Sequence, residues 1–244
     1  AQAPVRYDDW KLLRTYPQTA EELRQIHATG ALLMSESEGY DAVDYAVPPD
    51  GLAAMAAAGI PFDLLHDNVQ AAIDAERSRL ARMLLTDPRD PAWFNDYRPF
   101  GDIVTKMQAM VADAPDRVSL IDIGDSHEGR DIWALRISGP GEGKPAVLFN
   151  ATQHAREWIG PMTVMWFADQ LVYEYDADPE IRDLVDRVEF FIVPVVNPDG
   201  YVYCWDHDRL WRKNRRITLG TGCVGVDLNR NWDAGWGTIG ASGD

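Results

Sequence analysis

Residues Pro145 to Ile159 read P-A-V-L-F-N-A-T-Q-H-A-R-E-W-I. Ala146 to Phe149 is a short apolar run bounded by Lys144-Pro145 before it and polar residues after it, the pattern of a buried strand. A turn follows that carries His154, Arg156 and Glu157. Imidazole and carboxylate are both favoured zinc ligands, and a cation between them suits an anionic substrate. Pro161 and the apolar run after it mark a helix start. A candidate metal site thus sits where a central strand ends and a helix begins, the usual place for a site in an open α/β sheet. The His-x-x-Glu spacing alone is weak in a chain with five histidines, and a loop imidazole near a surface carboxylate explains it equally well.

A length of 244 residues allows one large domain or two smaller ones. Hydrophobic residues make up 46%, enough for a core, and nine Trp and nine Tyr supply aromatic surface besides. Lys plus Arg is 23 against 39 Asp plus Glu, a formal charge of −16, which argues against nucleic acid and anionic membranes as partners. No apolar run approaches the roughly 18 residues of a membrane-spanning helix. The chain opens Ala1-Gln2-Ala3 rather than with Met, so removal of an upstream segment is the expectation. Cys204 and Cys223 leave both the redox compartment and their own pairing open.

Before the opening stretch, the pattern predicts strands over 5–14, 31–34, 40–47 and 60–65. Helices fall between them. One is capped by Thr19 with Glu22 three residues on, and the other runs over 52–58 behind Pro49-Asp50. The order β-α-β-β-α-β is the split βαβ pattern of a small α+β, ferredoxin-like unit. Residues 67–86 read as an exposed helix carrying Arg77, Arg79 and Arg82, a connector, and Asp87-Pro88-Arg89-Asp90-Pro91 breaks the chain. Domains of 1–90 and 91–244 follow. In the second, helices are expected over 100–112, 162–175 and 179–185, and strands over 118–123 and 132–137. The run 190–196 is apolar enough to be an interior strand, although Pro194 is awkward there.

Three further clusters carry chemistry. Asn197-Pro198-Asp199-Gly200-Tyr201 is a turn sequence after the second apolar strand. Residues 209–216, R-L-W-R-K-N-R-R, put five cations into eight positions. That is either a solvated basic loop or a cationic wall for a carboxylate or oxyanion, which arginine suits through its fixed fork of donors. In Asp227-Leu228-Asn229-Arg230-Asn231-Trp232, the amide and guanidinium offer donors to an anion, and Asp227 is able to orient a metal-bound imidazole.

Taken in order, H-A-R-E-W-I, N-P-D-G-Y, R-L-W-R-K-N-R and C-V-G-V-D-L-N-R-N-W-D resemble the zinc metallocarboxypeptidases of the pancreatic carboxypeptidase A/B type. G-D-S-H-E-G-R-D-I at 124–132 is similar to that family's segment before the zinc strand, and F-D-L-L-H-D-N-V-Q-A-A-I-D-A-E lies in a region that resembles its pro-segment. The resemblance spans nearly the whole chain. It implies an α/β fold, a mixed sheet flanked by helices, with residues 1–90 as pro-segment and 91–244 as the N-terminal half of the catalytic domain.

The resemblance also implies roles. His154 and Glu157 correspond to zinc ligands, and Asp227 to the acceptor of the ligand imidazole. Arg212 corresponds to the residue that polarises the scissile carbonyl and holds the oxyanion. Asn229 and Arg230 correspond to the clamp on a peptide's free C-terminal carboxylate, and Arg156 and Arg209 to further groove contacts. Lys213 and Arg216 are expected to be solvated. The implied substrate is a peptide or protein with a free C-terminus, the compartment extracellular, and the activator a trypsin-like protease cutting between Arg77 and Arg89.

In the family, the third zinc His, the general-base Glu and the partner of Cys223 all lie beyond the position matching Asp244. His27, His66, His127 and His207 match no family ligand. This polypeptide alone is therefore expected to bind zinc poorly and not to hydrolyse peptides. Two other roles remain open: a non-catalytic binder of free peptide C-termini, and an inhibitory module formed by the N-terminal unit.

Overall fold

A computed structural model describes residues 3–36, 38–82, 86–220, 222–234 and 236–237. The chain divides into two compact units, Val5–Arg82 and Met83–Asp244 together with Ala1–Pro4.

In the smaller unit the elements follow in the order β1 (Lys11–Thr15), α1 (Ala20–Ala28), β2 (Leu32–Leu33), β3 (Val43–Val47), α2 (Pro49–Ala57), β4 (Phe62–His66) and α3 (Val69–Leu80). The sheet runs β2-β3-β1-β4, antiparallel throughout. Its core gathers Leu13, Ile26, Val43, Tyr45, Val47, Met55 and Ile60. Thr19 caps α1 as its spacing predicts, its hydroxyl accepting from the Glu22 amide at 3.2 Å. The strand expected from Val5 starts only at Lys11. Helix α2 begins with Pro49 at its first position and no side-chain cap, because proline supplies a preset φ and lacks an amide to satisfy. Helix α3 is tied into this unit at its start, where Tyr7 N donates to Gln70 Oε1 at 2.7 Å and Val69 N to Trp10 O at 2.8 Å.

The Asp87–Pro91 break lies inside the larger unit. Arg89 makes a two-pronged pair with Asp113, Nε to Oδ2 and Nη2 to Oδ1, both 2.9 Å. Pro88 O accepts from Lys106 Nζ at 2.6 Å, and Asp90 caps a short 3-10 turn over Pro91–Asn95. Lys106 is itself buried, paired with Asp169 at 2.6 Å and set over the rings of Trp93 and Phe94.

The larger unit continues with α4 (Phe100–Asp113), β5 (Val118–Asp125), β6 (Asp131–Ile137), β7 (Ala146–Asn150), α5 (Ile159–Tyr173), α6 (Pro179–Arg187), β8 (Glu189–Val193) and α7 (Pro198–Asp206). Its sheet is ordered β5-β6-β8-β7, antiparallel except for the parallel β7/β8 pair, whose register aligns Val147 with Phe190 and Phe149 with Ile192. This is the expected mixed sheet with flanking helices. Helix α5 makes the crossover between the parallel strands and packs against α4, α6, β6 and β8. Its buried stripe includes Met162, Met165, Ala168, Leu171 and Val172, which repeats at helical spacing.

Three expectations need correction. Strand β7 is neither central nor buried: among the described residues it pairs only with β8, and all five of its residues are exposed. Its apolar run marks a strand correctly, but burial depends on what pairs with its other edge. Strand β8 ends at Val193, before Pro194, so the proline never has to donate to the ladder. The Asn197–Tyr201 turn is the first turn of α7, with Asn197 as cap and Pro198 at the first helical position. Cys204 is buried, Cys223 is exposed, and no disulfide joins them.

Candidate functional site

After β7 the chain turns at Thr152, whose φ is +61°. A β-branched residue is costly in the left-handed region, and here its hydroxyl donates to Pro194 O at 2.8 Å and holds it there. The turn delivers His154, which is only 2% exposed. Its Nδ1 lies 2.8 Å from Glu157 Oε1 and its Nε2 lies 3.1 Å from Asp227 Oδ1. The second Asp227 oxygen, Oδ2, accepts from Arg212 Nε at 2.9 Å, and Arg212 Nη1 is 3.8 Å from Glu157 Oε1. Glu157, His154, Asp227 and Arg212 thus form a closed ring in which each acid faces two bases. Chain segments far apart in sequence supply it: the turn after β7, the loop after α7, and the start of a 3-10 turn over Leu228–Arg230.

The charges follow from this ring. Burial disfavours the charged form of the His154 imidazole, but its hydrogen bonds to Asp227 and Glu157 outweigh that and hold its pKa above the ordinary value. Burial likewise pushes the Asp227 carboxyl up, and is overcome by the hydrogen bonds from His154 and Arg212, so Asp227 stays ionised far into acid. Glu157 is lowered in the same way, burial being offset first by the His154 contact.

Around the ring lie the other arginines. Arg209 stacks on the Trp158 indole, its guanidinium carbon 3.6 Å from the ring centre, and Trp158 stacks in turn on Trp205 at 4.1 Å. Arg209 Nη1 donates to Arg156 O at 3.0 Å, and Ala155 N donates to Arg212 O at 2.9 Å. Arg156 has its pKa lowered by burial and then by repulsion from Arg212, which marks a crowded cationic patch. Asn229 donates its backbone amide to Asp227 Oδ1 at 2.9 Å, and Arg230 Nη1 donates to Asn229 O at 3.0 Å. All eight residues singled out from the sequence therefore lie in one neighbourhood. Lys213 is half-buried rather than solvated, whereas Arg216 is exposed.

The donor set fits a zinc ion. Nδ1 of His154 and a carboxylate oxygen of Glu157 converge, while Asp227 engages the other ring nitrogen and would leave Nδ1 as the one to face a metal. Ligand bonds of about 2.0–2.1 Å in tetrahedral geometry place two donors about 3.3 Å apart. The pair at 2.8 Å needs to open by only about half an ångström to admit the ion. Within the smaller unit, His27 pairs with Glu38, and His66 Nδ1 accepts from Asn68 N.

A family model described as zinc carboxypeptidase matches residues 103–244. The chain belongs to the zinc carboxypeptidase family. It is 36% identical over 248 residues to zinc carboxypeptidase A 1 of Anopheles gambiae, covering 98% of this chain and 56% of that protein. To carboxypeptidase A1 of Bos taurus it is 35% identical over 232 residues, covering 92% and 55%. Among solved structures it resembles thrombin-activatable fibrinolysis inhibitor, with a TM-score of 0.85 and 30% identity over 96% of this chain and 62% of that one. The carboxypeptidase A of Helicoverpa armigera gives a TM-score of 0.79 at 27% identity, covering 96% and 60%. The chain therefore spans about half the length of the curated relatives it matches.

Residues that support the candidate site escaped the sequence. Trp158 and Trp205 have no signal beyond being aromatic. Asn197 and Asp199 do carry one, since Asn before Pro is a helix-start pattern, although the same residues also suit a turn.

Proposed function

We propose that this chain carries the zinc-binding and carboxylate-binding half of a secreted carboxypeptidase precursor that removes the C-terminal residue of peptides. The observation that supports this best is the placement of His154, with Glu157 at Nδ1, Asp227 at Nε2, and Arg212 bonded to the same Asp227. In this reading His154 and Glu157 hold the zinc. When bound, the ion supplies a Lewis acid and lowers the pKa of its water to about 7. Asp227 keeps the imidazole in the right tautomer and orientation. Arg212, fixed through Nε, turns its remaining donors toward the carbonyl oxygen that gains charge. Asn229 and Arg230 grip the free carboxylate, and Arg156 and Arg209 line the groove. A grip on the chain end brings only the last peptide bond within reach. Residues 1–90 act as a removable pro-segment, released by a trypsin-like cut between Arg77 and Arg89.

Catalytic zinc usually takes three protein ligands, and this reading supplies two. The 244-residue polypeptide is therefore expected to bind Zn²⁺ weakly, through His154 and Glu157, without releasing amino acids from peptides. Competition against a chelating dye measures the first part. Binding that is unchanged in both His154→Ala and Glu157→Gln refutes the site. The clamp has its own test. Calorimetric titration with a peptide bearing a free C-terminus should show at least about tenfold tighter binding than with its amide, a difference that Arg230→Gln removes. Equal affinity for acid and amide refutes the clamp. Selectivity for the free acid together with Zn²⁺ binding that neither His154→Ala nor Glu157→Gln changes selects the simple peptide-end binder instead.

A further inference from the structure

Two motifs hold no role in the reading above, S-H-E-G-R at 126–130 and N-P-D-G at 197–200, and the structure joins them. Asp199, 2% exposed, accepts from Ser126 Oγ at 2.7 Å, from Glu128 N at 2.9 Å and from Arg130 Nη1 at 2.7 Å. This anchors the start of α7 to the β5–β6 turn. Two residues earlier, Asn197 is 3% exposed and uses its whole side chain. Oδ1 accepts from Gly200 N at 3.0 Å. Nδ2 donates to Gln153 O at 3.1 Å and to Lys213 O at 3.2 Å. Gln153 immediately precedes His154, and Lys213 immediately follows Arg212. The amide orientation is fixed by its partners, because two carbonyls can be met only by the NH₂ group and an amide N–H only by the oxygen. A Cβ on Gly200 would sit 2.5 Å from Lys213 O, so the loop backbone comes this close to α7 only because residue 200 is glycine.

We propose that Asn197 is a positioning residue that sets the separation between the His154–Glu157 turn and Arg212, by tying the backbone beside each to the start of α7. The catalytic consequence rests on the carboxypeptidase reading; the geometric claim does not. The competing role is a plain helix cap, and the two roles differ in sign for one substitution. As a cap, Asp serves as well as Asn, and the helix N-terminus favours its charge. As a bridge, Asn197→Asp replaces a double donor by an acceptor facing two carbonyl oxygens about 3 Å away, a buried mismatch.

Hydrogen exchange followed by NMR on the 244-residue polypeptide separates them. The reporter is the Ala155 amide, which bonds Arg212 O across the bridged gap at 2.9 Å. In Asn197→Asp this amide is expected to exchange at least about tenfold faster than in the unaltered chain, while α7 amides keep their protection. The ¹⁵N shifts of the His154 ring should move as well, since its contacts to Glu157 and Asp227 follow the same gap. Asp199→Asn serves as control: it should open the Glu128 amide and leave Ala155 and the His154 ring unmoved. An Ala155 rate within twofold of the original, unshifted His154 nitrogens, or faster exchange spread evenly over α7 and the sheet would each overturn the assignment. Peptide binding enters neither readout, so failure of the carboxypeptidase reading would leave this result intact.

Discussion

Asp227 touches more of the candidate centre than any other side chain described above, since its two oxygens serve the imidazole, the Arg212 guanidinium and the Asn229 amide. Asp227→Asn keeps the shape but exchanges one acceptor for a donor. An NH₂ group at that position bonds the bare Nε2, which moves the ring proton to Nδ1, the nitrogen that has to face the metal. Zinc affinity is therefore expected to fall about 10- to 100-fold, read by dye competition. A carboxylate away from the centre gives a pH prediction. Asp113 is held below the ordinary carboxylate range by its hydrogen bond from Arg89, against the opposing effect of burial and with help from the Tyr173 hydroxyl. A lowered folded pKa contributes stability that is complete above the unfolded value of about 3.9 and is lost as pH falls through the folded value. The Tm advantage of the native chain over Asp113→Asn should hold from pH 7 to about 5 and shrink below about 4. A gap as wide at pH 3 as at pH 7 contradicts this. At this scale the sequence shows His154 and Glu157 as a pair, because both lie on one turn. It does not show that Asp227, 73 residues away, completes them, which only resemblance indicates. Asn197 was legible least of all, because its partners are backbone carbonyls, and no side-chain identity marks where those will be.

Secondary structure was legible where periodicity or capping chemistry decides it and illegible where pairing does. The helix expected from Pro179 is α6, and Asp178 caps it, its Oδ1 accepting from Glu180 N at 2.8 Å. Asp178→Ala is expected to cost about 1 kcal/mol in chemical denaturation, the usual cost of a lost cap. Strand β7 is the opposite case. Val147, Leu148 and Phe149 make it a strand, but which edge is covered is a tertiary fact that the run itself does not encode. In this polypeptide Leu148 is 61% exposed on a strand that pairs on one side only among the described residues. Such an apolar edge is a template for pairing with another chain. The 244-residue polypeptide is thus expected to self-associate as concentration rises, and Leu148→Lys to suppress this with a stability change within about 0.5 kcal/mol, the range of surface substitutions. Sedimentation velocity decides it: equal association by both proteins rules the β7 edge out as the contact.

At the scale of the molecule the sequence indicates two units, and the structure moves their division upstream, from the proline-rich break at 87–91 to Arg82. The reason is local. Arg89, Pro88 and Asp90 read as linker composition, but each has a partner in the larger unit: Asp113, Lys106 Nζ, and the amide of Ala92. Lys106 is buried under Trp93 and Phe94 and paired with Asp169, so that segment is held by groups that cannot easily let go. A protease needs several residues of extended, accessible backbone around the bond it cuts. The Arg89–Asp90 bond does not offer that, since Asp90 N donates to Asp87 O at 3.0 Å and Asp90 O accepts from Trp93 N at 2.9 Å. Arg77 and Arg79 lie in the last turn of α3, and Arg82 follows just beyond the helix, where fraying opens the chain most readily. Limited trypsin digestion should therefore cut first between Arg77 and Arg82 and release an N-terminal fragment of about one third of the chain, identified by intact mass. Arg89→Gln should leave that first cut unchanged. A first fragment ending at Arg89 in the unaltered chain would show that the tether to α4 does not hold in solution, and the unit boundary would return to 90/91.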